Sequence, residues 1–187
     1  MLDLGFLFSV ALAHVATNLD NLAMLLVLAY SVGRQKALAG FLLAQAIVIG
    51  LAMALGGGAE ALTGVHSRWL GLVPIAFGIR AFRRQEGTQA ALPGSAGALA
   101  VTALFLGLSF DTLAVLTPVF ADSALRYDLD ALTGASLSSL AIGGSVYALT
   151  RAPIRSLPAV EKINRIAPFV MIAAGIYVLL DTGTDLQ

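Results

Sequence analysis

From about residue 4 to residue 30 the chain stays apolar for longer than the roughly 20 residues a helix needs to cross a bilayer, and it does so again from about 98 to 120. Such runs must close their peptide hydrogen bonds internally, which leaves a helix or a strand of a closed barrel. Barrel strands alternate apolar with polar residues, and these runs do not, so helices are predicted. Each run carries one acid near its middle: Asp20 within Thr17-Asn18-Leu19-Asp20-Asn21, and Asp111 within Ser109-Phe110-Asp111-Thr112. An ionisable group at that depth is costly and reads as functional by default.

Four more apolar runs follow the same logic. The predicted spans cover about 4–32, 37–55, 69–82, 98–121, 131–149 and 166–180. Span two is expected to stop at the helix-breaking triplet Gly56-Gly57-Gly58. Residues 83–97 form the one true linker, and its small, polar end at Pro93-Gly94-Ser95 is expected to be mobile. A polar turn with Asp122, Arg126, Asp128 and Asp130 separates spans four and five. Only 12% of residues are charged, half the share of an ordinary soluble domain, and mean hydropathy is +0.88. The expectation is an all-α integral membrane protein, residues 1–187 forming a single transmembrane domain. The N-terminus lacks the basic region and cleavage site of a signal peptide, so the first run reads as a retained span. A formal net charge of zero points to no nucleic-acid partner, and the lack of cysteine excludes disulfides and thiolate metal ligands.

The basic residues set an orientation. With six spans, the first, third and fifth loops share one side. Arg34, Lys36, Arg80, Arg83, Arg84, Arg151, Arg155, Lys162 and Arg165 fall there, nine of the 11 Lys and Arg, against Arg68 and Arg126 opposite. The positive-inside rule makes that side cytoplasmic, places both termini outside, and implies a multi-pass protein of the cell's inner (cytoplasmic) membrane.

The halves resemble each other. Asp20-Asn21-Leu22-Ala23-Met24-Leu25 aligns with Asp111-Thr112-Leu113-Ala114-Val115-Leu116. Gly40, Gln45 and Gly50 align with Gly134, Ser139 and Gly144, and Ile75 and Ile79 with Ile172 and Ile176. Three spans per half is an odd number, so the halves (1–82 and 98–187) face opposite ways as two inverted three-helix repeats. That is a recurrent transporter plan with a site at the midplane.

The site follows from the donors at hand. On an unbroken helix Thr17, Asp20, Asn21 and Met24 share a face while Asn18 points away; a break would turn Asn18 and backbone carbonyls inward. Ser109 and Thr112 flank Asp111 in the second half. No Lys or Arg lies mid-span, so each acid must be protonated, hydrated or bound to a cation. Two carboxylates balance one divalent ion, and an all-oxygen set suits a hard one such as Mn²⁺. Metal binding would displace protons, which makes proton exchange a natural coupling. The candidate metal-binding residues are Asp20, Asp111, Asn21, Thr17, Asn18, Thr112 and Ser109. His14 offers a ring nitrogen to a metal or a proton, or a helix-to-helix hydrogen bond. Gln45 and its repeat mate Ser139 either line the pathway or bridge helices. Pro118 is expected to loosen span four beyond the acid, as a hinge or a static kink.

Three stretches carry a family resemblance: Ala16-Thr17-Asn18-Leu19-Asp20-Asn21-Leu22, Leu70-Gly71-Leu72-Val73-Pro74-Ile75-Ala76-Phe77-Gly78-Ile79, and Asp111-Thr112-Leu113-Ala114-Val115-Leu116-Thr117-Pro118-Val119-Phe120-Ala121. In these the chain resembles the cadmium-resistance transporter family, within the lysine-exporter superfamily. The family usually shows Asn-Gly-x-Asp-Asn where this chain has Leu108-Ser109-Phe110-Asp111-Thr112, keeping the acid and replacing its amide neighbours. The resemblance implies efflux of divalent cations, cadmium being the family label; neighbouring families export manganese or amino acids. The expected function is therefore secondary export of a divalent metal, carried as substrate with no cofactor. Export of an amino acid or other small organic cation is the alternative, and a non-transporting scaffold a third reading. An enzyme is not expected, since no nucleophile–base pair or His-rich motif is present, and a homo-oligomer is left open.

Overall fold

The computed structural model describes residues 3–63, 72, 75, 76, 79, 92–122, 125–151, 172 and 176, with side chains described at these positions except 58–63, 122, 125 and 126. Every element among the described residues is helical. They are α1 (Leu4–Thr17), α2 (Leu19–Leu28), a π turn (Ala29–Gly33), α3 (Arg34–Thr63), α4 (Ala98–Leu108), α5 (Phe110–Asp122) and α6 (Leu125–Leu149). Two stretches, Leu19–Gly57 and Tyr127–Leu149, are long and apolar enough to cross a membrane, and the bent pair α4–α5 makes a third. Large apolar side chains such as Phe8, Leu12, Leu99, Phe110, Leu137 and Leu140 face outward. That is the surface a lipid solvent selects, since there is no water on that side to penalise it.

The 39-residue stretch Leu19–Gly57 is not one straight crossing. Asn18 and Gln45 would stand about 40 Å apart on a continuous helix at 1.5 Å per residue. Their side chains instead share a 2.7 Å hydrogen bond. The chain therefore doubles back between them, through the π turn that ends at Gly33. Gly33 has φ +99°, a conformation that costs glycine little and other residues much. This reversal falls where spans one and two were predicted to part.

Helix directions follow from the cross-contacts. α1 and α6 run parallel: Asp3 meets Asp130, Phe6 stacks on Tyr127 with ring centroids 5.3 Å apart, and His14 meets Ser138. α3 runs parallel to α4–α5, since Gly40 lies against Ala98 and Val101, and Gly56 against Thr117 and Phe120. The same contact occurs twice. A Cβ on Gly40 would stand 2.7 Å from the carbonyl oxygen of Ala98, and a Cβ on Gly134 would stand 2.5 Å from that of Leu7. Gly40 and Gly134 are repeat mates, and Ala98 is the residue 91 positions after Leu7, the spacing that separates the two acids.

Several expectations need correction. α3 continues through Gly56-Gly57-Gly58 to Thr63. The lack of a side chain at Gly56 lets α3 sit on the backbone of α5, 2.9 Å from a Cβ position to the Thr117 carbonyl oxygen, and that contact outweighs the helix cost of glycine. α6 begins at Leu125, so most of the expected polar turn is helix; Asp130 is buried and accepts from the Asp3 N–H. The end of the linker is packed. Pro93 to Ala96 form a turn closed by a 2.9 Å backbone bond, Gly94 lies against the Ser31 carbonyl, and Ala96 joins the apolar core. The third and sixth predicted spans lie outside the described residues except at single helical positions: Leu72, Ile75, Ala76 and Ile79, and Ile172 and Ile176. At these the repeat mates match, Ile75 and Ile172 being half-buried and Ile79 and Ile176 both 45% exposed.

Candidate functional site

The helices stack in three layers along their length. An apolar layer gathers Leu25, Leu28, Phe41, Phe105, Ile142 and Val146, and a second gathers Phe6, Val10, Ile49, Leu116, Phe120 and Ala135. Between them lies a buried polar layer, formed where α1 meets α2 and α4 meets α5 and within α3 and α6: His14, Thr17, Asn18, Asn21, Gln45, Ser109, Thr112, Ser138 and Ser139. Burying this many polar groups is unfavourable unless they bond to one another, and they do.

Two helix breaks organise the layer. α1 ends and α2 begins at Asn18, with φ −110° and ψ 15°; α4 ends and α5 begins at Ser109, with φ −94° and ψ 22°. The second break bends its helix by 65°. Asn18 and Ser109 are 91 residues apart, and their surroundings match. Leu22 N–H donates to the Asn18 carbonyl as Leu113 N–H does to that of Ser109. The carboxylate of Asp20 accepts from the Asn21 N–H at 2.8 Å, and that of Asp111 accepts from the Thr112 N–H at 2.8 Å. Each acid thus sits in the first turn after its break, where the helix dipole favours a negative charge.

The broken helices cross antiparallel. Asn18 Nδ2 donates to Thr112 Oγ1 at 3.1 Å, and Asn21 Nδ2 donates to Ser109 Oγ at 3.3 Å, two bonds related by exchange of the halves. Thr112 Oγ1 donates on to Thr17 Oγ1, which donates to the His14 carbonyl. Asn18 Oδ1 accepts from both Asn21 Nδ2 and Gln45 Nε2. The Gln45 oxygen faces His14 Nε2 at 3.2 Å and can only accept, so that nitrogen carries a proton; Ser138 Oγ lies 2.8 Å from the other ring nitrogen. One acceptor is left over, because Asn21 Oδ1 is buried and receives no hydrogen bond.

Seven of the eight non-acidic residues expected at the site, Thr17, Asn18, Asn21, Ser109, Thr112, His14 and Gln45, therefore join one network. Ser139 lies in the same layer but bonds the Ala135 carbonyl of its own helix. The break turns Asn18 inward, the second of the two geometries the sequence left open. The acids differ from the network residues in burial. Asp20 is exposed and Asp111 half-buried, while Asn21 and Thr112 beside them are fully buried. Successive helical residues point about 100° apart, so the rotation that turns Asn21 fully to the centre carries Asp20 outward. Among the described residues no three His, Cys, Asp or Glu side chains form a metal-holding group. Pro118 is not the bend; it lies inside α5, and the chain turns nine residues earlier at Ser109. Sequence reasoning missed Ser138, whose signal was its place one turn beyond Gly134, in register with His14. It also missed the burial of Asp130.

Among the described residues, the fold and site define a class: an all-helical bundle with apolar helices of membrane-crossing length and a buried polar layer between two apolar ones. Comparison with protein-family models, curated proteins and solved structures finds no match to the chain.

Proposed function

We infer that the protein is a secondary transporter exporting divalent metal cations, of the Cd²⁺ or Mn²⁺ kind, through a midplane site between two inverted three-helix halves. One observation carries the reading: two broken helices, with their breaks and acids at a common spacing of 91, cross antiparallel within the largest buried polar cluster of the described residues. Half-helices meeting at mid-depth are how transporters offer backbone and side-chain oxygens to an ion without exposing peptides to lipid. Asp20 and Asp111 supply the charge that a divalent ion needs, and the amide and hydroxyl layer holds the breaks that position them. Carboxylates that take up a metal release protons, so exchange against protons is the coupling this donor set supports.

The same breaks argue against the amino-acid alternative. A substrate carboxylate would dock on the free N–H groups of a half-helix. Here Asp20 and Asp111 already occupy those N-termini, and would repel it. On this reading spans three and six complete the two halves, the nine basic loop residues lie in the cytoplasm, both termini lie outside, and the membrane is the cell's inner one. The resemblance to the cadmium-resistance transporter family agrees with this cargo class.

The test is flux in proteoliposomes with Mn²⁺, Cd²⁺, Zn²⁺ and Ca²⁺, with and without a pH gradient. Metal-dependent flux is expected from the parent and none from Asp20→Asn or Asp111→Asn. Each Asn keeps an oxygen that can accept the next N–H, so the fold should survive. Flux retained in either variant, or absent from the parent for all four ions, overturns the reading.

A further inference from the structure

At the end of the bundle beside the π turn, the start of α3 and the end of α6 meet through Tyr147. The guanidinium carbon of Arg34 lies 4.5 Å from the centroid of the Tyr147 ring, and that of Arg151 lies 4.4 Å from it. Arg151 also donates to the Tyr147 hydroxyl. Two cations thus share one ring. The ring's quadrupole attracts each of them but does not cancel their mutual repulsion. Among the described residues no carboxylate pairs with either guanidinium. Arg34 Nε is sealed from solvent and has no hydrogen-bond acceptor. Arg34 further opens a 30-residue helix, where the macrodipole is already positive and a cation is unfavourable.

These features concentrate positive charge at one spot and leave it unanswered. A planar guanidinium fork matches the oxygens of a phosphate in two parallel hydrogen bonds, and does so better than a lysine. The position fits as well. Tyrosine favours the depth at which hydrocarbon gives way to headgroups, and basic sites between helix ends at that depth recognise anionic headgroups. We propose that Arg34, Tyr147 and Arg151 form a phosphate-binding site that takes the headgroup phosphate of an anionic lipid and so clamps the start of α3 to the end of α6. The proposal uses the membrane reading but not the cargo, so it stands or falls apart from metal export.

The experiment measures thermal unfolding of the full chain in nanodiscs of phosphatidylcholine, with and without phosphatidylglycerol. Phosphatidylglycerol should raise the unfolding temperature of the parent. Arg34→Gln and Arg151→Gln should lose that rise, while Lys36→Gln, which removes a nearby exposed charge outside the stack, should keep it. Arg34→Lys keeps the charge but not the fork, and should lose most of the rise; it serves if Arg34→Gln fails to fold. Inorganic phosphate added to the detergent-solubilised protein, matched in ionic strength with chloride, separates the sources. A rise with phosphatidylglycerol alone identifies the lipid headgroup, and an equal rise with inorganic phosphate identifies a free anion at the same site. No rise with either, or a rise that survives in the Arg34 and Arg151 variants, overturns the site.

Discussion

Replacing single glycines by alanine tests the equivalence of the two halves at the level of packing. At Gly40 a Cβ would meet Val101 Cβ at 2.6 Å and the Ala98 carbonyl oxygen at 2.7 Å; at Gly134 it would meet the Leu7 carbonyl oxygen at 2.5 Å. Both obstacles include backbone, so relief requires a helix to move. Overpacking of this kind costs about 1–3 kcal/mol. Gly50 and Gly144 are also repeat mates, and a Cβ at either has nothing within 4 Å. There alanine should be neutral or stabilising by up to ~1 kcal/mol, because glycine inside a helix sacrifices backbone entropy. The sign of the effect should therefore change between the two positions of each half, and change alike in both halves. Thermal unfolding of the purified protein reads this out, at roughly 2–4 °C for each kcal/mol in a chain of this length. If Gly134→Ala unfolds like the parent while Gly40→Ala does not, the two contacts are not equivalent. If Gly50→Ala and Gly144→Ala lose as much as the other pair, close approach is not the cause.

Two further outcomes follow from the polar layer and the bend. Asn18→Ala removes the acceptor shared by Asn21 and Gln45 and the donor to Thr112, each of which keeps another partner, so chemical denaturation should show a loss of about 1–3 kcal/mol in all. Pro118→Ala should leave the bend between α4 and α5 unchanged, because the turn sits at Ser109; a straightened pair, measured as a longer spin-label distance across the break, would show the proline to be the cause.

Much of this was legible in the sequence, because lipid leaves few options. The apolar runs around Asp20 and Asp111 became the two broken helices, and the polar residues clustered there became the buried layer. The close contacts at Gly40 and Gly134, which the sequence aligned, were legible because close helix approach favours the smallest residues. What could not be read was rotation. Helical spacing grouped Asp20 with Thr17, Asn21 and Met24, yet a one-residue dislocation at Asn18 leaves those three buried and Asp20 exposed. Local propensity also misled at Gly56, where packing against α5 overrode a helix-breaking triplet, and at Asp130, whose partner is an N–H 127 residues away.

The breaks tie off their own loose ends. Asn18 N–H reaches the Val15 carbonyl, Leu22 N–H reaches that of Asn18, and Asn21 N–H finds the side chain of the residue before it. None of these three bonds depends on how the two half-helices are inclined. Such a joint can swing within oil without baring those three dipoles, so its angle answers chiefly to the side chains wedged around it.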